Sequence, residues 1–274
     1  MYRILKGWNQ LLHYKIYSQD KQEWVVLVHG AGGSSTIWYK QIRAYRKEFN
    51  VLVVDLRGHG SSKFNCTPKH YTFDLVSKDI MEVLDHVGIK KAHFVGISLG
   101  TILIRQLAET HPERMLSMVL AGAVIRITPR LQFLLSIANR FKRIVPYMWL
   151  YRFFAWILMP KKSHEGSRSL FVQEAKKVQH REFIRWLTLT TNVAKYLIKF
   201  NEKDTNIPTL YLMGAEDYMF THTVAELVKT QKTSELIIIE DSGHVCNVDQ
   251  PSRFNELSLN FLNTIQPHEN PQLV

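Results

Sequence analysis

The stretch that decides the fold is Lys90–Arg105, KKAHFVGISLGTILIR. An apolar run, Ala92-His93-Phe94-Val95, enters Gly96-Ile97-Ser98-Leu99-Gly100 and passes directly into a helical pattern. This is a G-x-S-x-G step between a strand and a helix. Such a turn is sharp enough to want glycine on both sides, and it holds the serine hydroxyl clear of the sheet. Five residues of this kind are a weak signal by themselves, because Gly and Ser are common. The strand before them and the helix after them give the motif its weight. Ser98 is therefore the candidate nucleophile, and the rest of the chain must supply a base, a carboxylate and donors for an oxyanion.

Working outward, near-continuous apolar runs at Trp24–Val28 and Val51–Val54 predict strands buried on both faces of a parallel sheet. Further strands are expected at Met115–Val119, Thr209–Met213 and Leu236–Ile239, and an initial hairpin from Tyr2–Lys6 and Leu11–Tyr17. Helical periodicity covers Ser35–Lys47, Phe73–Val87 and Leu99–Thr110, with later helices near Thr223–Thr230 and over Pro251–Ile265. Strands and helices alternating at this spacing imply an α/β fold, with a mostly parallel central sheet flanked by helices. Between Val124 and Thr205 the alternation stops and only helical patterns remain. The expected organisation is a core made of residues 1–123 and 206–274, interrupted by a helical cap, or lid, over 124–205. Residues from about Pro267 read as a loose tail.

Charge sharpens that division. The net charge of the 274 residues is +11, yet residues 124–205 hold 16 Lys and Arg against 5 Asp and Glu, and the remainder holds 19 of each. The whole imbalance lies in the insertion, as for a separate structural unit. The N-terminus lacks the apolar core of a signal peptide, and no run reaches the roughly 20 apolar residues of a membrane span. Two cysteines, Cys66 and Cys246, are too few for a disulfide framework or a four-ligand zinc site. A cytoplasmic protein with reduced thiols is expected, needing neither metal nor cofactor.

The remaining chemistry sits just beyond the carboxyl ends of strands. Gly214-Ala215-Glu216-Asp217 follows one, and Glu240-Asp241-Ser242-Gly243-His244 follows the last. A serine needs a base of near-neutral pKa, and His244 is the best placed of 12 histidines. That histidine needs a carboxylate to fix its tautomer. Asp217, farther into its loop, is preferred, with Glu216 next. The order Ser98, Asp217, His244 is the one associated with a nucleophile elbow. Oxyanion donors are expected from the backbone N–H of Leu99, at a helix N-terminus, and of Ala31, in His29-Gly30-Ala31-Gly32-Gly33. A phosphate loop would place a Lys after its glycines, and none is there.

Together HGAGG (29–33), DLRGHGSS (55–62), GISLG (96–100), GAED (214–217) and SGH (242–244) resemble the α/β-hydrolase fold superfamily, in its capped esterases, lipases and related hydrolases. The resemblance implies Ser98, Asp217 and His244 as a triad and Ala31 and Leu99 as oxyanion donors. It gives Asp55, Arg57 and His59 a structural role. The family's dehalogenases and epoxide hydrolases use Asp where this chain has Ser98, and its proline iminopeptidases resemble HGGPG rather than HGAGG. Its C–C hydrolases tend to carry an aromatic residue after the histidine, where this chain has Val245.

The expected substrate is a small-molecule ester with a hydrophobic acyl portion. A slow ligand receptor of the same fold, a C–C hydrolase and an acyltransferase are the alternatives. Ile144–Met159, IVPYMWLYRFFAWILM, has Arg152 as its one charge and is flanked by Arg140, Lys142, Arg143, Lys161 and Lys162. A helix of about 14 residues is roughly 21 Å long, too short to span a bilayer. It suits a lid helix lining an acyl pocket, an interfacial helix on an anionic membrane, or a subunit interface. No nucleic-acid-binding motif accompanies the basic charge, and the oligomeric state stays open.

Overall fold

The computed structural model describes residues 11–62, 68–191, 193–202 and 204–265. Tyr2–Lys6, Cys66 and the tail beyond Pro267 lie outside the described residues. The elements are β1 (Tyr14–Tyr17), β2 (Trp24–Val28), α1 (Tyr39–Tyr45), β3 (Asn50–Val54), α2 (Phe73–Val87), β4 (Ala92–Ile97), α3 (Leu99–Thr110) and β5 (Met115–Ala121). Five helices follow: α4 (Pro129–Phe141), α5 (Tyr147–Leu158), α6 (Glu165–Ala175), α7 (His180–Thr191) and α8 (Val193–Glu202). Then come β6 (Thr209–Gly214), α9 (Thr221–Val228), β7 (Ser234–Ile239), α10 (Cys246–Asp249) and α11 (Pro251–Thr264).

Among the described residues, seven strands form one sheet in the order β1-β3-β2-β4-β5-β6-β7. Every pair is parallel except β1 with β3, where Tyr14 faces Val54 and Tyr17 faces Val51. Apolar clusters lie on both faces of the sheet. One holds Val26, Val28 and Phe94 against α2 and α3, the other Val25, Leu27 and Val95 against α1 and α11. That double burial is why β2, β3 and β4 read as unbroken apolar runs rather than alternating ones. Helix α2 spans the expected residues. Thr72 caps its start by accepting from Leu75 N–H, and Gly88 ends it at φ 83°.

The helix expected over Ser35–Lys47 differs most from its expectation, α9 is displaced by two residues, and α10 was not expected. Ser35–Trp38 is a 3₁₀ turn, and the α-helix begins only at Tyr39. Ser34 accepts from Thr36 N–H there, and Ser35 N–H is drawn to the Asp55 carboxylate at 2.8 Å, so the first turn is wound around local side chains. Because β2 and β4–β7 are parallel, the loops that follow them gather at one edge. Open α/β sheets place their ligands at that edge.

Candidate active site

Ser98 occupies the single residue between β4 and α3 with φ 54° and ψ −119°. A non-glycine residue held there costs on the order of 1–3 kcal/mol, so the surroundings must over-determine it. They do. Ser98 N–H donates to Ala121 O at 3.0 Å, and Ser98 O accepts from Thr101 N–H and Oγ1–H at 2.9 and 2.6 Å. The flanking glycines are required by close approach. A Cβ on Gly96 would lie 2.5 Å from Ile104 Cδ1, and one on Gly100 would lie 2.4 Å from Val28 O. At Gly100 the close atoms are backbone, which leaves no room for a side chain; at Gly96 the closest is the flexible end of Ile104, with Gly100 C next at 3.0 Å.

The loops after β6 and β7 are laced together by Ala215 N–H to Ile239 O and Glu216 N–H to Ser242 O, both 2.9 Å. This brings Asp217 and His244 side by side, each 2% exposed. His244 Nδ1 lies 2.8 Å from Asp217 Oδ2, and His244 Nε2 lies 2.9 Å from Ser98 Oγ. The Phe220 ring packs on the imidazole with centroids 5.3 Å apart. Glu216, the other carboxylate of that loop, points away and meets Lys161 Nζ at 2.6 Å and His164 Nε2 at 2.7 Å. The hydrogen bond from Lys161 holds its carboxyl below the usual range. Asp217 is thus the carboxylate that reaches His244.

Ala31 and Leu99 line the same cavity as Ser98 and His244, and among the described residues no hydrogen bond from either backbone N–H to the protein is found. Leu99 is the first residue of α3, where an N–H has no intrahelical acceptor and the helix dipole favours negative charge. Two buried histidines pin the loop that carries Ala31. His29 Nε2 accepts from Leu56 N–H at 2.9 Å while its Nδ1–H donates to Gly30 O at 2.7 Å. His59 Nε2 accepts from Gly32 N–H at 2.9 Å while its Nδ1–H donates to Arg57 O at 3.2 Å. Both are therefore neutral. Burial pushes His29 down, and burial with the neighbouring His29 pushes His59 down to about 3.

Asp55 anchors the same region, accepting from Ser35 and Ser61 N–H, each at 2.8 Å. Burial pushes its carboxyl up, but these two donors outweigh it and leave it below the usual range. Arg57 pairs with Asp79. The cavity above Ser98 measures about 190 Å³. Leu131 and Leu135 of α4, Phe154 and Leu158 of α5, and Phe183 and Leu187 of α7 make its apolar walls. Glu174 of α6 is its one carboxylate among the described residues, and it accepts from Ser34 Oγ at 2.7 Å and from Lys177. Sequence reasoning missed Glu174, which reaches its partner across 140 residues, and His164, which is fully buried beside Gly243. No local pattern marks either one. His29 stood inside a quoted motif, but its bond to Leu56 could be found only in three dimensions.

A family model described as alpha/beta hydrolase fold matches residues 23–251. Among curated proteins, the chain is 23% identical over 261 residues to 3-oxoadipate enol-lactonase 1 of Acinetobacter baylyi, covering 93% of this chain and 94% of that one. Among solved structures it resembles an enol-lactonase from Burkholderia xenovorans LB400 (TM-score 0.78, 21% identity, 92% and 96% of the two chains). It also resembles a thermophilic esterase from Thermogutta terrifontis (TM-score 0.79, 22% identity, 93% and 94%). At these identities the structural likeness shows a shared fold. No helix among the described residues is long and apolar enough to cross a membrane.

Proposed function

The chain belongs to the α/β-hydrolase fold family, and from that premise we propose that it is a serine hydrolase cleaving carboxylic esters with an apolar acyl portion. One observation carries the reading: the relay from Asp217 Oδ2 through His244 to Ser98 Oγ, at 2.8 and 2.9 Å, opening on an apolar cavity. Asp217 accepts from His244 Nδ1–H, which leaves the Nε2 lone pair facing the Ser98 hydroxyl. Ser98 Oγ attacks the ester carbonyl carbon as its proton passes to Nε2. The carbonyl oxygen becomes the oxyanion and takes hydrogen bonds from Ala31 and Leu99 N–H. Collapse breaks the bond to the alcohol oxygen, which leaves with the Nε2 proton. Water then gives a proton to His244 and attacks the acyl-enzyme, releasing the acid and restoring Ser98.

The named similarities support the ester class, since a lactone is an internal ester. In this reading residues 124–205 act as a cap on a core of 1–123 and 206–274, and α4, α5 and α7 select the acyl portion. The test is a p-nitrophenyl ester series of increasing acyl length, run on the wild type and Ser98→Ala, with fluorophosphonate labelling. Turnover should rise with chain length until the cavity is full, each buried methylene being worth about 0.8 kcal/mol, or roughly fourfold. The probe should label Ser98 alone. Activity retained in Ser98→Ala would refute the reading. Labelling of Ser98 without turnover on any ester would favour a ligand receptor instead.

A further inference from the structure

Helices α4 and α5 carry apolar surface that their packing does not use. On α4, Phe133, Ile137 and Phe141 recur at four-residue spacing and are 66%, 41% and 43% exposed. On α5, Trp149, Phe153 and Trp156 recur at i, i+4 and i+7 and are 67%, 46% and 62% exposed. Each set is a single stripe of its helix. Residues 142–146 join the helices in a tight turn, held by Val145 N–H to Phe141 O and Trp149 N–H to Pro146 O, both 2.9 Å. Ile144, 79% exposed, stands in that turn, between the two stripes along the chain. Seven of the eleven large exposed apolar side chains among the described residues fall within residues 133–156. Hydrophobic side chains scattered singly over a surface need no partner, but a concentration like this one does.

The charge around the patch says which partner. From Arg114 to His164 the sequence holds no Asp or Glu. Arg140, Arg143, Arg152 and Lys162 are all exposed, on or beside the two helices. A second copy seated on this face across a twofold axis would set one stretch of basic residues without acidic partners of its own against another. An anionic lipid surface satisfies both features, because head groups take the cations and the acyl boundary takes Trp, Phe and Ile. The 12 residues of α5 extend about 18 Å, enough to lie in the interface and too few to cross it.

We propose that the α4–α5 face docks this protein on anionic membrane, with the exposed stripes of both helices set into the head-group boundary. The opposite side of α5 then acquires a meaning. Tyr151, Phe154 and Leu158 line the cavity above Ser98, so one helix, about 10 Å across, separates lipid from the candidate active site.

The test is flotation of the full chain with vesicles of phosphatidylcholine alone, or with one third phosphatidylglycerol, at low and high salt. Anionic vesicles should retain the wild type at low salt with a blue shift of tryptophan emission, and high salt should release it. Arg140→Gln/Arg143→Gln/Arg152→Gln/Lys162→Gln should weaken retention by roughly fivefold per charge, several hundredfold in all. Trp149→Ser/Phe153→Ser/Trp156→Ser should weaken it by roughly tenfold or more and remove the blue shift. None of these side chains lines the cavity. Unchanged far-ultraviolet circular dichroism and ester turnover in solution therefore report that both variants are folded. Ser98→Ala should float like the wild type, so docking and hydrolysis can fail separately. No retention of the wild type on anionic vesicles at low salt would overturn the proposal, as would equal retention of all variants. So would a dimer in solution that the Ser variants dissociate while no form binds vesicles.

Discussion

Gly100→Ala tests the positioning of the proposed oxyanion donors with the smallest possible change. A Cβ at position 100 would lie 2.4 Å from Val28 O, 2.9 Å from His29 O and 3.0 Å from Val28 C. All three atoms belong to the backbone at the end of β2, which has no rotamer to change. Ordinary contact begins near 3.4 Å, so the first clash alone demands about 1 Å of separation between α3 and β2. Leu99 N–H rides on α3 and Ala31 N–H on the loop leaving β2, so the two donors move apart. A misplacement of about 1 Å costs on the order of 10²-fold, and full loss of one donor 10²–10³-fold. The expected result is a fall of about 10²–10³-fold in kcat/KM for a short p-nitrophenyl ester. Fluorophosphonate labelling of Ser98 should slow in parallel, with about 1–3 kcal/mol lost to overpacking. Gly166→Ala is the matched control. Gly166 lies in α6, and an added methyl there would meet nothing within 4 Å, so that variant should keep full activity and stability. Gly100→Ala with activity within about twofold of wild type would refute the assignment of Leu99 and Ala31.

Three further expectations follow from the same geometry. Asp217→Asn should lower kcat by about 10³–10⁴-fold with KM little changed, whereas Glu216→Gln should leave kcat nearly intact; steady-state kinetics showing the reverse would exchange the two carboxylates. His59 is held near 3 when folded against an ordinary 6.5, so the unfolded chain binds more protons between those values. Stability should fall as pH drops from about 6.5 toward 3, by up to about 1.4 kcal/mol per unit, and His59→Gln should flatten that slope in thermal melts; an unchanged slope would mean that His59 charges freely in the fold. Leu135→Trp should fill the cavity above Ser98 and shift the preferred p-nitrophenyl ester toward shorter chains, and an unaltered chain-length profile would place the proposed acyl site elsewhere.

How much of this was legible in the sequence follows from where each signal is stored. Strands β2 to β6 are buried on both faces, so each appears as a short apolar run, and the observed bounds lie within two residues of those expected. The meeting of Ser98, Asp217 and His244 was readable because a parallel sheet gathers the loops after its strands at one edge, and chain order then singles out candidates. The antiparallel pairing of β1 with β3 was not readable, since a four-residue half-buried strand fits either direction. Nor were the contacts that tie the helices of 124–205 to the core. Glu174 to Ser34, Tyr71 to Glu182 and Trp186 Nε1–H to Arg57 O each join residues more than 100 positions apart, with no periodicity to announce them.

Helix α5 shows the limit most clearly. Arg152 apart, its sequence is apolar on every side, so periodicity names no clear inward face, and a helix of that pattern is ordinarily buried all round. Only the packing decides. Tyr151 and Ala155 turn inward while Trp149 and Trp156 remain in solvent. The cavity face is explained by the core beneath it; the outer face is explained, on the docking proposed above, by a partner. An apolar stripe beside exposed arginines would be a poor choice for a surface meant to stay in water, where charged residues cost less. The same residues are well suited to a boundary between head groups and acyl chains. On the docking proposed above, the composition that made the insertion ambiguous as a sequence would follow from one helix meeting two apolar environments at once.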